Sequence, residues 1–246
     1  MSLERKSIQR GSWFFRWRSY LPLLLLGIVL PALHGFTYPF GSHTWDNVWD
    51  MFCLSVSLFG LGIRAFTVGY VPAGTSGRNT KEQIADSLNT TGMYSVVRNP
   101  LYLGNFFMGL GVMLFAREWW LGLLYACLFW LYYERIIMAE ESYLRAKFGS
   151  VYEEYCNRTP VFFPNFGLWR PPDLPFSWKT VLRREYSGLF GVIAAFAFLE
   201  TVAEYVVNRR IVVDKLWAVI FVLGLLIYAT LRVIKKKTTW LDVPGR

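Results

Sequence analysis

The chain has 246 residues, of which 54% are hydrophobic, 18% aromatic and only 17% charged, and its formal net charge is +9. A soluble domain of this length would carry more charge, so the composition argues against an ordinary soluble enzyme and predicts an integral membrane protein with one membrane domain, residues 1–246. In a chain this apolar, the positive charge favours a basic cytoplasmic face near anionic lipid head groups over binding to nucleic acid.

Cysteine and histidine are scarce. Cys53, Cys127 and Cys156 lie far apart and form no CxxC pair, and the only histidines are His34 and His43. The odd number and wide spacing of the cysteines exclude a disulfide framework. A His/Cys metal site is also not expected, so we predict a protein without a metal.

Six apolar segments approach the length of about 20 residues that crosses a bilayer. They cover residues 19–36, 48–70, 100–116, 118–137, 187–206 and 214–233. The first is longer than a signal-peptide core and lacks a clear cleavage site of small residues, which predicts a retained span. The third and fourth are joined by a very short link at Arg117-Glu118, which predicts an antiparallel helical hairpin.

The predicted fold is an all-α polytopic bundle of about six transmembrane helices. No strand–GxGxxG–helix unit is present, so a Rossmann domain is not predicted. Lysine and arginine concentrate in residues 1–18, 71–99, 138–186 and the C-terminal tail, whereas residues 37–47 contain none. This bias predicts that both termini and the segments 71–99 and 138–186 are cytoplasmic, although the basic loop 207–215 is an exception. Residues 187–233 would add two C-terminal spans.

A polar constellation precedes and enters the third predicted span. Proline at position 100 favours a helix start, and Arg98 beside it could simply reach lipid phosphates. Tyr102 and Asn105 lie within one helical turn of each other, and Gly104 permits close approach of a neighbouring helix or a ligand. Together these residues indicate a site at the end of a membrane helix.

Two consecutive carboxylates, Glu140 and Glu141, follow the fourth predicted span. They could be surface groups, with Glu141 paired to Arg145 one turn later, or they could belong to the site. Glu134 lies seven residues before Glu141 and therefore on nearly the same face of the predicted helix. It is at the end of the apolar segment, where an unpaired carboxylate is costly. We therefore expect an arginine partner there, such as Arg98 or Arg135.

Three further features allow both a structural and a functional interpretation. Arg158 precedes a rigid aromatic segment, residues 159–164, which could cover the helix ends and close a pocket or could dip its two phenylalanines into lipid. The turn at residues 75–80 offers backbone N–H groups and Arg78 to an anionic oxygen, or is only solvated. Arg64, near the end of the second span, could reach the surface or line a polar cavity.

Taken together, these residues resemble the membrane methyltransferase family that includes isoprenylcysteine carboxyl methyltransferase and phospholipid N-methyltransferases. The resemblance covers about residues 60–165. The family pattern is Gly-x-Tyr-x-x-x-Arg-His-Pro-x-Tyr-x-Gly, a helical hairpin, an Arg…Glu-Glu-x-x-Leu helix, Phe-Gly-x-x-Tyr-x-x-Tyr and a closing Arg-x-Pro…Pro. The chain matches it at Gly92, Tyr94, Arg98, Pro100, Tyr102, Gly104, Arg135, Glu140, Glu141, Leu144, Phe148, Gly149, Tyr152, Tyr155, Arg158, Pro160 and Pro164. Asn99 stands where the family has histidine.

The resemblance implies that S-adenosylmethionine is the cofactor, held at the cytoplasmic ends of the central helices, and that the substrate enters sideways from the bilayer. We assign cofactor binding to Tyr94, Arg98, Asn99, Pro100, Tyr102, Gly104, Glu140 and Glu141. The catalytic assignments are Arg98, Glu141 and Arg158. Substrate binding is assigned to Arg64, Arg78, Asn79, Asn105 and Arg158. Because Asn99 replaces the histidine, a mechanism with a titrating base at that position is not expected.

The leading hypothesis is a methyltransferase of the bacterial inner membrane that acts on the phosphate head group of a membrane lipid. Residues 75–80 and 88–91 are most similar to bacterial members, among which is a lipid A phosphate methyltransferase. The same chemistry on a prenylated cysteine carboxylate, or N-methylation of a phospholipid, is the alternative. A non-catalytic lipid-binding membrane protein is the alternative of another class.

Overall fold

A computed structural model describes residues 21–75 and 85–246, with side chains from residue 27 onward. In these ranges the chain is all-α and contains no strand. The helices are α1 Leu21–Ala32, α2 His43–Tyr70, α3 Met93–Val96, α4 Pro100–Leu114, α5 Trp119–Phe148, α6 Ser150–Arg158, α7 Trp178–Asn208 and α8 Lys215–Lys237, with single 3₁₀ turns at Leu33–Gly35, Pro39–Gly41 and Phe166–Leu168.

The prediction of a helical membrane bundle is confirmed. Within the described ranges, four helices are long and apolar enough to cross a bilayer: α2, α5, α7 and α8. Helix α4 is apolar but has only 15 residues, fewer than the about 17–25 that usually span. The predicted first span, 19–36, lies partly outside the described residues, and the described part of it contains the 12-residue helix α1.

The predicted hairpin of α4 and α5 is present. Helix α4 ends at Leu114 and α5 begins at Trp119. The turn between them closes with a hydrogen bond from the Arg117 N–H to the Leu114 carbonyl, 3.0 Å, and Arg117 has a left-handed backbone with φ 61°. A connection this short forces the two helices to pack antiparallel.

Two helix boundaries differ from the prediction. Helix α5 does not end near residue 137 but continues to Phe148, because residues 138–148 contain neither glycine nor proline. It stops at Gly149, whose φ of 55° favours glycine. Its 30 residues span about 45 Å, more than the about 30 Å hydrocarbon core. Helix α7 likewise begins at Trp178, earlier than the expected residue 187.

Glycines bring α2 and α4 into very close contact. A Cβ atom at Gly60 would lie 2.4 Å from the Gly104 carbonyl oxygen, and one at Gly111 would lie 2.3 Å from the Cys53 carbonyl oxygen. Small residues at such positions allow membrane helices to approach backbone to backbone. Helix α7 packs against both α2 and α8, so the start of α4, the end of α2 and the start of α7 meet at one end of the bundle.

Candidate functional site

An ion pair joins the loop just before α4 to α5. Arg98 Nη1 lies 2.9 Å from Glu141 Oε1, and the two side chains are only 13% and 19% exposed. Arg98 Nε nevertheless has no well-aligned hydrogen-bond partner among the described residues, although Cys156 interacts with the guanidinium. The pair thus leaves a polar atom inside the site that a bound ligand could satisfy. Arg98 pairs with Glu141, and not with Glu134, which is exposed on α5.

Helix α6 lies beside this ion pair. Burial alone would lower the pKa of the Arg98 guanidinium, but the Glu141 carboxylate and Cys156 raise the pKa above its ordinary value. The pKa of the Tyr152 phenol is also raised, first by burial and then by Glu141. At neutral pH the Arg98 guanidinium is therefore charged and the Tyr152 phenol is neutral.

A second contact between α4 and α5 lies one turn further along. The Tyr102 hydroxyl donates a hydrogen bond of 2.7 Å to Glu140 Oε1. The Tyr102 ring lies 4.6 Å from the Tyr133 ring, centroid to centroid. Both predicted carboxylates, Glu140 and Glu141, therefore engage α4, so the two predicted motifs form one cluster.

A polar network continues from this cluster into the bundle. Asn105 donates to the Tyr133 hydroxyl at 3.1 Å and accepts from Arg64 Nη1 at 2.8 Å. Arg64 also donates from Nε and Nη2 to the two oxygens of Glu185, at 2.8 and 2.9 Å. Arg64 is therefore held inside the bundle instead of reaching the surface, and an anionic substrate would have to compete with Glu185 for it.

Glu185 was not singled out from the sequence. It lies just before the predicted span 187–206, where a carboxylate reads as part of a cytoplasmic loop. The signal that could have found it is Arg64, because a charged residue within a membrane span requires a partner. Since α7 begins at Trp178, Glu185 is placed two turns inside a helix and is only 5% exposed.

The aromatic segment at residues 159–164 lies across the start of α4. The Arg98 N–H donates to the Pro160 carbonyl at 2.8 Å, and the Asn99 side chain donates to the Val161 carbonyl at 3.0 Å. Phe162 is buried against the aromatic rings of α4 and α5, whereas Phe163 is 79% exposed. One ring of the segment therefore lies in the core and the other at the surface.

Tyr94 lies in the short helix α3 and lines a cavity of about 260 Å³. The cavity lies between the end of α2, residues 87–93 and residues 172–174; Arg98, Tyr102, Glu140 and Glu141 do not line it. The Tyr94 carbonyl accepts a hydrogen bond of 2.8 Å from the Tyr155 hydroxyl on α6. Tyr94 is therefore adjacent to the cluster through α6 but faces a separate space.

The remaining assigned residues differ in position. Pro100 is the first residue of α4. Gly104 faces α2, where an added Cβ would lie 2.5 Å from Arg64 Cγ, so the structure gives Gly104 a role in helix packing. Arg158 ends α6 and is exposed. Arg78 and Asn79 lie outside the described residues.

Part of the chain resembles the membrane methyltransferase family. Its residues 51–151 match the family model described as phospholipid methyltransferase, a range that contains Arg64 and the Arg98, Tyr102, Glu140 and Glu141 cluster. A shorter similarity, 35% identity over 31% of the chain and 33% of the relative, links it to the protein-S-isoprenylcysteine O-methyltransferase of Schizosaccharomyces pombe.

Two bacterial relatives are similar over a longer stretch. The nickel-cobalt-cadmium resistance protein NccN of Alcaligenes xylosoxydans xylosoxydans is 32% identical over 63% of this chain and 65% of its own length. The cobalt-zinc-cadmium resistance protein CzcN of Cupriavidus metallidurans is 34% identical over 53% of this chain and 58% of its own length. The chain thus matches less than two thirds of each relative. No solved structure matches it.

Proposed function

We propose that this protein transfers a methyl group from S-adenosylmethionine to the anionic phosphate head group of a membrane lipid, such as a lipid A phosphate. The observation that carries the proposal is the cluster of Arg98, Tyr102, Glu140 and Glu141 where α4 meets α5, inside the range of the family match. The site would lie at the cytoplasmic face of the bacterial inner membrane, with both termini on the same side.

The cluster suits the chemical groups of S-adenosylmethionine. Arg98 Nε is a buried donor without a well-aligned partner among the described residues, and it suits the carboxylate of the cofactor. Glu140 and Glu141 suit its ammonium group and ribose hydroxyls. The ring of Tyr102 can stabilise a sulfonium by cation–π contact, worth about 0.5–2 kcal/mol, whereas the predicted contribution of Tyr94 would require it to turn away from the separate cavity that it lines. When bound, the cofactor supplies an electrophilic methyl group.

The protein's own residues would act mainly by positioning. A phosphate oxygen is anionic at neutral pH, so it needs no general base, and alignment of two reactants can contribute about 7–11 kcal/mol. Asn99 fits a positioning role, because its amide donates to the Val161 carbonyl and thereby orders residues 159–164 next to the cluster. Pro100 and Gly104 would act by shaping and placing α4.

Arg158 is our candidate for attracting the anionic head group. It is exposed at the end of α6, and the exposed Phe163 follows shortly after it; a cation next to an apolar ring suits a lipid surface. Arg78 and Asn79 remain candidates for the same role. For Arg64 and Asn105 we propose an indirect role, in which their network with Glu185 fixes α4 against α2 and α7.

Two other acceptors use the same cluster. A prenylated cysteine carboxylate is also an anionic oxygen and is suggested by the name of the Schizosaccharomyces pombe relative. Phospholipid N-methylation is suggested by the family description, but an amine must lose a proton, and the chain offers no histidine near the cluster to accept it.

The names of the two bacterial relatives further suggest a role in tolerance of divalent metals. A cluster that includes His43, Asp46 and Glu200 supports this suggestion.

The test is transfer of a labelled methyl group from S-adenosylmethionine into a total lipid extract by the purified protein in micelles. We expect label in an acidic phospholipid or lipid A fraction, lost in Glu141→Gln, and a raised lipid KM in Arg158→Ala with unchanged cofactor affinity. Label only in added prenylcysteine would replace the lipid by that acceptor. A protein that neither labels a lipid nor binds the cofactor would be a non-catalytic lipid-binding protein.

A further inference from the structure

A second cluster of ionisable side chains lies far from the methyltransferase site. It comprises His43, Asp46 and Asp50 on α2 with Glu200 and Glu204 on α7. Asp50 precedes Arg64 by 14 residues on the same helix, which corresponds to about 21 Å. The acidic cluster therefore lies at the opposite end of the bundle, next to the turn between α4 and α5.

The four carboxylates of the acidic cluster are almost completely buried. Asp46, Asp50 and Glu200 are each 1% exposed and Glu204 is 3% exposed. A buried carboxylate is costly unless hydrogen bonds or an opposite charge compensate it. The number of hydrogen-bond donors and positive charges around these carboxylates therefore indicates whether the protein alone compensates their burial.

Two of the carboxylates have partners within the protein. Glu204 accepts hydrogen bonds from the Tyr38 hydroxyl, 2.6 Å, and the Asn208 amide, 2.7 Å. Burial, and then the bond to Glu204, raise the pKa of Tyr38 to about 12, so the phenol remains a donor at neutral pH. Asp46 Oδ1 is 3.0 Å from Arg117 Nη1.

The other oxygens are less well satisfied. Asp46 Oδ2, both oxygens of Asp50 and both oxygens of Glu200 have no well-aligned hydrogen-bond partner among the described residues, although the Asp50 carboxyl group lies against the Glu200 carboxyl group and the Trp217 indole. Arg117 is the arginine paired with Asp46, and its guanidinium also lies over the Phe36 ring at 4.1 Å. Five buried acceptor oxygens thus face a site that holds far less positive charge than negative charge.

Three of the side chains converge as metal ligands do. One atom each from His43, Asp46 and Glu200 lie within 4.8 Å of one another. Two ligand atoms bound to one zinc ion at about 2.0–2.2 Å each are at most about 4 Å apart. Small rotations of the side chains would therefore bring all three atoms to bonding distance, and Asp46 could use Oδ2 while Oδ1 stays on Arg117.

The Nε2 atom of His43 faces carboxylates: it lies 3.3 Å from Glu204 Oε1 and 3.7 Å from Asp214 Oδ2. The Nδ1 atom of His43 lies 3.1 Å from the Asn47 side-chain nitrogen, while the Asn47 Oδ1 atom is buried without a partner among the described residues. If the Asn47 amide is turned by 180°, Oδ1 accepts a bond from Nδ1–H and its own need is met. A metal ion bound to Nε2 would then lie between this nitrogen and the carboxylates, and a hydrogen bond from the other ring nitrogen is typical of histidine bound to a metal.

We propose that His43, Asp46 and Glu200 bind one divalent transition-metal ion, with Asp50 as the adjacent carboxylate. An imidazole combined with carboxylates favours zinc, cobalt or nickel over magnesium or calcium. His43 is 41% exposed, so an ion can reach the site from the surface. This site was not expected from the sequence, where two histidines and three dispersed cysteines indicated no metal. It does not depend on the methyl transfer proposed above.

A proton shared between Asp50 and Glu200, whose carboxyl groups interact directly, is the competing explanation. The test uses the purified full chain in micelles, stripped of metal by a chelator and titrated with Co²⁺ followed by visible absorption. We expect one Co²⁺ per chain, displaced by Zn²⁺ but not by Mg²⁺. In Glu200→Gln the Co²⁺ affinity should fall at least about tenfold, whereas Glu153→Gln, which alters an exposed carboxylate on α6, should bind as the wild type does.

Thermal unfolding of the wild-type chain provides a measurement that needs no variant. A ligand that binds only the folded state raises the Tm, so Zn²⁺ should raise the Tm of the stripped protein and Mg²⁺ should not. The proposal is overturned if Zn²⁺ leaves the Tm unchanged, as a shared proton would require. It is equally overturned if Glu200→Gln binds Co²⁺ with wild-type affinity, which would place the ion elsewhere.

Discussion

At the scale of single residues, the ion-pair partner of Glu141 indicates whether this carboxylate belongs to a site or to an ordinary helix surface. Glu141 could have paired with Arg145 one turn away, but it lies 2.9 Å from Arg98 in the loop between α3 and α4, while Arg145 lies 3.8 Å from Glu153. The pair Arg98–Glu141 is also largely buried, so it is neither highly solvated nor free to reach lipid phosphates.

Tyr102→Phe should weaken cofactor binding without changing the fold. The substitution keeps the ring against Tyr133 and removes only the hydroxyl that donates to Glu140. Because hydrogen bonds to charged groups are the stronger ones, we expect the Kd for S-adenosylmethionine to rise about tenfold with an unchanged lipid KM. The Kd is measured by calorimetry, with Tyr205→Phe at a half-exposed position of α7 as the control. An unchanged Kd would remove Tyr102 from the cofactor site.

At the scale of helices, two kinds of contact hold the site together: glycine contacts between α2 and α4, and the ion pair between α2 and α7. Both involve residues far apart in sequence. Helix ends could be predicted where a residue acts locally, as at Pro100, where α4 begins. Partners across helices, such as Glu185 for Arg64, could not be predicted, because hydropathy gives the length of a helix and not its rotation about its axis.

Gly60→Leu should disrupt the bundle, and Gly62→Leu should not. A Cβ at Gly60 meets backbone atoms of α4 at 2.4 and 2.6 Å, whereas nothing lies within 4 Å of one at Gly62. Backbone atoms cannot rotate away, so the Gly60 variant must separate α2 from α4. We expect a Tm in micelles several degrees lower for Gly60→Leu only. Equal Tm values for the two variants would contradict the described helix contact.

Arg64→Leu should destabilise the protein more than the double substitution Arg64→Leu with Glu185→Leu. Removing one partner leaves a buried charge, which typically costs about 3–5 kcal/mol, whereas replacing both with apolar groups is often nearly neutral. Thermal unfolding of the wild type, the two single variants and the double variant measures this coupling. If the effects of the two single substitutions simply add, the Arg64–Glu185 pair does not form.

At the scale of the whole molecule, the two clusters occupy opposite ends of one helical bundle. The composition predicted the bundle and the family motif predicted the first cluster, since its residues follow in order along the chain. The acidic cluster joins residues 43–50 to residues 200–204, and nothing in either stretch indicates the other. Its members read from the sequence as unrelated charges near an outer loop.

The positive-inside argument predicts that the methyltransferase site faces the cytoplasm and the acidic cluster faces outward. Two single-cysteine reporters, Phe40→Cys and Glu154→Cys, test the orientation of the chain in the membrane. Both positions are exposed and lie near the two ends of the bundle. In both variants the exposed Cys127 is changed to serine. A membrane-impermeant thiol reagent added to spheroplasts should label Phe40→Cys and leave Glu154→Cys unlabelled. The reverse pattern would place the site on the outer face and exclude a cytoplasmic cofactor.

The most direct test of the methyltransferase site is equilibrium binding of S-adenosylmethionine to the purified chain in micelles. Wild type, Glu141→Gln and Glu153→Gln are compared; the last alters a carboxylate that is 60% exposed on α6. We predict that wild type and Glu153→Gln bind equally and that Glu141→Gln binds at least about tenfold more weakly, because a charge-assisted contact is lost. Equal binding by wild type and Glu141→Gln, or no binding by the wild type, would contradict the assignment of the Arg98–Glu141 cluster.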